Sequence, residues 1–169
     1  ILLSVSLIPI LLTEIKVPET DSQESLGLRA LWKASPSGVA TIGLSGLATA
    51  GFFGVGTIYA VEAGLSVSET ALFMTLFVGF GAASQWPLGW LSDKIDRRKV
   101  ILFCCASVIS ICIVLASFEF TNTIFLILSA LVGACTLPLY SLGVAQANDR
   151  LEPKQMISAS GTIVLVFSV

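Results

Sequence analysis

The stretch GWLSDKIDRRKV, Gly89–Val100, decides how this chain is read. Six charges, Asp93, Lys94, Asp96, Arg97, Arg98 and Lys99, fall within seven residues. On either side charge nearly vanishes. No Asp, Glu, Lys or Arg occurs in Ala34–Val61, Thr70–Ser92, Val100–Phe118 or Phe120–Asn148, runs of 28, 23, 19 and 29 residues. A bilayer core about 30 Å thick takes about 20 apolar helical residues, so each run is long enough to span it. Only 12% of the 169 residues are charged, against about 25% in a soluble domain. A soluble chain would need several consecutive helices with no polar face. The expected fold is therefore an all-α membrane protein, a polytopic bundle of transmembrane helices.

The charge-free runs predict spans at 37–60, 70–91, 100–117 and 122–147. Two partial spans flank them, 1–12 and 156–169, and the chain reads as cut at both ends. No basic segment precedes Ile1, so residues 1–12 do not resemble a secretory leader. The nine basic residues all lie in connections, and the connections alternate. Thr13–Ser35 has Lys16, Arg29 and Lys33, Asp93–Lys99 has Lys94, Arg97, Arg98 and Lys99, and Asp149–Gln155 has Arg150 and Lys154. The Glu62–Glu69 connection and the one around Glu119 have none. Basic connections stay on the cytoplasmic side. Residues 13–35, 93–99 and 149–155 are thus expected inside, and the two acidic connections outside.

The spans differ in character. Residues 13–24 are polar and acidic, a linker. Leu26–Lys33 can place Leu28, Leu31 and Trp32 on one helical face, suited to the inner membrane surface. The first full span repeats Gly46, Ala50 and Gly54 every four positions, a spacing for close helix contact or for the border of a cavity. The second ends in Gln85-Trp86-Pro87, an interfacial finish. The third is apolar all round and suited to lipid. The fourth carries one small and polar stripe, Ser129, Gly133, Thr136, Tyr140, Gly143 and Ala147. Pro138 within it removes a backbone bond and frees a carbonyl near Ala134. Such a defect is tolerated where it is buried in protein or lines a cavity, so this span should face inward.

The spacing Gly89-x-Leu91-Ser92-Asp93-Lys94-x-Asp96-Arg97-Arg98-Lys99, on a short turn between two spans, resembles the signature loop of the major facilitator superfamily (MFS) of secondary transporters. It departs at Asp96, where that family usually has Gly for a left-handed turn. Asp tolerates that conformation better than most residues. The resemblance covers essentially the whole chain, including LPLYSLGVAQANDRLEP at 137–153. It implies a stretch from the end of span six to the start of span eleven of a twelve-span fold. Residues 13–35 would then be the central cytoplasmic loop and 36–169 the C-terminal bundle, with spans seven and ten lining the substrate path and span nine facing lipid. It further implies a conformational latch. The Asp matching Asp93 meets the positive end of a helix in the other half, and the Arg matching Arg97 reaches an acid at the inner end of span ten. Asp149 stands at that end, with Arg98 an alternative donor. Gly89 and Lys94 complete the loop.

The implied function is secondary active transport of a small solute by alternating access. The alternative is a non-transporting membrane sensor or scaffold on the same fold, since fold does not fix function. An enzyme is not expected: there is no His, no paired Ser and base, and no catalytic constellation. Cys104, Cys105, Cys112 and Cys135 lie within spans at no metal-ligand spacing, so neither metal nor cofactor is expected. Tyr59, Thr136, Tyr140 and Gln146 are candidate substrate-pathway groups, each equally able to join helix to helix. Glu62 reads as a solvated loop charge near the outer mouth, and a proton-carrying carboxylate is expected outside this stretch. The expected partners are a small solute, the lipid bilayer, an N-terminal half of the same chain and a coupled proton. With net charge −2, a nucleic acid is not among them. The expected location is the plasma membrane, the inner membrane of a bacterium.

Overall fold

The computed structural model describes residues 27–118 and 120–168. The expected partial span 1–12, most of the linker and Glu119 lie outside the described residues. Among the described residues six helices follow one another: α1 Leu28–Ala34, α2 Pro36–Glu62, α3 Val67–Lys94, α4 Arg97–Ser117, α5 Asn122–Asn148 and α6 Pro153–Phe167. The four from α2 to α5 are long and apolar enough to cross a membrane. Helices α2, α3 and α4 overrun their charge-free runs by up to a turn, while α5 stays within its own. Hydrogen bonding continues into charged residues that the bilayer itself would exclude. The clearest case is α3, which passes through Pro87 and continues to Lys94, beyond the finish expected at Trp86-Pro87.

Local chemistry sets the helix ends. Pro36 opens α2 at its first turn, where its missing N–H is no loss. Gly64 adopts φ 87° and turns the chain towards α3. Ser66 and Glu69 then form a capping box: the Ser66 N–H donates to Glu69 Oε2 at 2.8 Å, and the Glu69 N–H donates to Ser66 Oγ at 3.3 Å. Asn122, the first residue of α5, donates from Nδ2 to Glu69 Oε1 at 2.7 Å, joining the two acidic connections at one end of the bundle.

Helix α5 is the hub. Leu139 and Leu142 pack on Val100, Ile101 and Cys104 of α4. Phe125 closes the acidic end with Ala60, Leu65 and Phe73. At the basic end, Ala147 and Leu151 pack with Leu31, Val39, Ile42, Ala159 and Ile163. The small stripe of α5 explains this position. A Cβ on Gly133 would fall on the Phe77 carbonyl oxygen of α3, and one on Gly143 would lie 2.9 Å from Ile42 Cγ1 of α2. The stripe therefore serves close packing with α2 and α3. The α2 stripe divides. A Cβ on Gly46 would fall on the carbonyl oxygen of Phe167 in α6, whereas one on Gly54 would meet nothing.

The carbonyl freed by Pro138 is satisfied from α3. Ser84 Oγ lies 2.6 Å from the Ala134 carbonyl oxygen and 2.9 Å from that of Gly81, with one proton between two acceptors. Helix α4 is the most lipid-like, with Leu102 and Phe103 among its exposed large side chains. In α1 only Leu31 is buried. Leu28 and Trp32, expected beside it, remain exposed.

Candidate functional site

The charged turn between α3 and α4 is only two residues long, Ile95 and Asp96. Asp96 does not take the left-handed conformation expected of it: its φ is −56° and its ψ 115°. It is instead the N-cap of α4, its side chain accepting from the Arg98 N–H at 3.0 Å. A carboxylate at a helix start satisfies an orphan donor and complements the helix dipole. The same chemistry explains how this position works without glycine.

Starting α4 at Arg97 fixes the directions of Arg97, Arg98 and Lys99. Arg97 turns back towards the bundle. Its Nη2 donates to Asp93 Oδ1 at 3.0 Å, and its Nη1 to Asp149 Oδ2 at 2.7 Å. One guanidinium thus ties the end of α3 to the end of α5. The Arg97 side chain is 15% exposed, while those of Asp93 and Asp149 are 71% and 57% exposed. Arg97 Nε is buried without a partner among the described residues. Arg98 makes no ion pair with Asp149 among the described residues. Lys94 turns outward, with Nζ 3.7 Å from the centre of the Trp90 ring, a cation–π contact. Gly89 lies within α3, its carbonyl accepting from Ser92 Oγ at 2.7 Å. A Cβ there would meet nothing within 4 Å. Beside this cluster is a depression of about 510 Å³, bordered by Asp93, Arg97, Arg98, Gln146 and Asp149.

The four candidate pathway residues do not share one cavity. Gln146 is buried at the basic end, where its backbone carbonyl accepts from Ser35 Oγ at 3.2 Å. Thr136 is ten residues earlier on α5, about 15 Å along the axis. It is buried, and its hydroxyl has no partner among the described residues. Tyr140 is half-buried, its ring 4.5 Å from that of Phe167. Tyr59 lies at the opposite end, its ring 5.7 Å from Phe125. There it borders a cavity of about 600 Å³ with Glu62, Phe118, Phe120 and Asn122. Sequence reasoning missed this cavity, because its walls come from three helices far apart in the chain. It missed Ser84 as well. The signal for Ser84 was present: Gly81 and Ser84 form a small and polar step on α3 that faces the kinked span.

Four membrane-length helices, three of them joined at their basic end by one largely covered arginine, define a polytopic helical membrane protein. The family model of the Major Facilitator Superfamily matches residues 2–169, and the chain belongs to that family. Its sequence is similar to the MFS-type transporter YcaD of Escherichia fergusonii, 23% identical over 99% of this chain and 44% of that protein. The YcaD of Salmonella arizonae is 24% identical, and that of Escherichia coli O6:K15:H31 25%, each over 96% of this chain and 42% of the relative. The chain thus spans less than half the length of these curated relatives. No solved structure matches it significantly.

Proposed function

We propose that this chain is the C-terminal bundle of a permease that moves a small solute by alternating access. Residues 13–35, 93–99 and 149–155 would lie on the cytoplasmic face of a plasma membrane. Family membership supports transport. The structure supports the sidedness, because the described bases gather at one end, joined by Arg97–Asp149, and the acidic connections at the other, joined by Asn122–Glu69.

The observation that carries the mechanism is the Asp93–Arg97–Asp149 cluster. Arg97 holds Asp93 at the basic end of α3 with its carboxylate largely exposed. Held there, Asp93 can meet the positive end of a helix in a second bundle when the inner side is closed. Both acids are more than half exposed, so each ion pair is worth about 0.2–1 kcal/mol after solvent screening. A contact of about 1.4 kcal/mol made in only one state shifts a two-state balance tenfold. The cluster therefore acts as a latch that biases the equilibrium without locking it. A coupled proton would use a carboxylate outside these residues.

The test uses the full-length protein in proteoliposomes. Gradient-driven solute flux separates a transporter from a sensor or scaffold on the same fold. For the latch, Asp93→Asn and Asp149→Asn should each slow flux and speed labelling of an inner-side cysteine, with membrane insertion intact. Arg97→Asp combined with Asp149→Arg should restore part of the loss, since the relocated guanidinium again lies between two acids. If both single variants transport and label at wild-type rates, there is no latch.

A further inference from the structure

The acidic end of the bundle holds a cavity apart from the latch. It measures about 600 Å³, within the range that accepts a drug-sized ligand. Its walls come from the end of α2, the end of α4 and the start of α5. Four aromatic rings border it: Tyr59, Phe118, Phe120 and Phe125. Tyr59 and Phe125 are 5.7 Å apart, and Phe118 and Phe120 6.2 Å. Glu62 and Asn122 complete the lining.

Three features give this cavity a sign. First, Glu62 is the last residue of α2 and makes no ion pair among the described residues. An acid in the last turn of a helix is disfavoured by the helix dipole, so this placement departs from local preference. Such departures are concentrated at functional sites. Second, α2 and α4 both end at this cavity, and neither has a basic residue in its last turn. Two helix C-termini add partial negative charge; of the two N-termini at this end, that of α3 already carries the Glu69 carboxylate in its first turn, leaving that of α5. Asn122 does not cancel it, because its amide nitrogen is committed to Glu69. Third, the described bases are gathered at the other end of the bundle. Interfacial anchoring explains exposed rings in a membrane protein. It does not explain why four rings line one cavity with an acid that has no ion pair among the described residues.

We infer that this cavity is a binding site for amphipathic organic cations, the rings taking the hydrophobic body and Glu62 with the two helix ends taking the charge. Ring faces attract a cation through their quadrupole, so the walls and the charge select the same ligand class. An anion would be disfavoured by Glu62 and the two helix C-termini. The inference does not depend on the latch or on transport, since binding at this end requires no movement of the bundle.

The test is equilibrium binding of tetraphenylphosphonium to the purified full-length protein in detergent, with tetraphenylborate as the anion of like shape. Saturable cation binding is expected, with no Glu62-dependent binding of the anion. Glu62→Gln should weaken the cation about fivefold or more. Tyr59→Leu should weaken it about threefold, while Tyr59→Phe keeps the ring and the affinity. Both positions are exposed at the end of α2, so these variants should fold. Wild-type affinity in both Glu62→Gln and Tyr59→Leu overturns the inference, as does absence of saturable cation binding. Flux measured separately keeps the two readings apart: binding without flux leaves this site standing and sinks the transport reading.

Discussion

Replacing Gly133 by Ala tests the packing on which the bundle rests. Two effects oppose each other. Alanine is a better helix former than glycine by about 1 kcal/mol, so the substitution alone should stabilise α5. Against this, the new Cβ would fall on the Phe77 carbonyl oxygen and lie 2.7 Å from Phe77 C and Cα. Those are backbone atoms of α3 and cannot rotate aside. Ordinary contact begins near 3.4 Å, so the two helices must part by at least about 0.7 Å to clear the carbons, and by more to clear the carbonyl oxygen. A gap of that size forfeits about a quarter to a half of each facing contact, and overpacking a dense site costs about 1–3 kcal/mol. The steric term extends over the whole α3–α5 contact and should win. Set against the helix gain, the expected net loss is up to about 2 kcal/mol, or up to about 8 °C in melting midpoint for a unit of this size. Gly51→Ala is the control, since a Cβ there meets nothing within 4 Å and only the helix-propensity gain remains. The measurement is thermal loss of monodisperse full-length protein in detergent, followed by fluorescence-detected size exclusion. A Gly133→Ala protein that melts as high as Gly51→Ala would refute the α3–α5 register described here.

Ser84→Ala should cost about 0.6–1.7 kcal/mol, the range for hydrogen bonds between membrane helices. In a Pro138→Ala background the loss should shrink, because the Ala134 carbonyl then has a backbone donor within its own helix; equal losses in both backgrounds would mean that Ser84 does not serve the freed carbonyl. Sidedness is tested with single cysteines in intact cells: Ser66→Cys should label with an impermeant maleimide and Asp96→Cys should not, and the reverse pattern would invert the proposed topology.

The two levels of description divide by physical cause. Burying an unpaired charge in hydrocarbon is costly at any helix rotation. Charge-free length is therefore a property of the chain alone, and it located all four long helices and the basic turn between α3 and α4. Motif spacing carried the family resemblance for the same reason, since a two-residue turn is local. Helix ends were legible only roughly, because hydrogen bonding continues past the bilayer edge, as α3 does through Pro87 to Lys94. What a stripe of small residues touches is a different kind of quantity. It depends on the relative rotation of two helices, which side-chain shapes set across the whole interface. Hence the α5 stripe could be seen in sequence, but not that Gly133 meets Phe77 while Gly54 meets nothing. Likewise, Arg97 and Arg98 are about 100° apart around α4, and only the packed bundle turns Arg97 towards Asp149. Asp96 became a cap because α4 begins one residue after it. Glu62, expected to be a solvated loop charge, ends α2 beside four aromatic rings that only the folded bundle brings together.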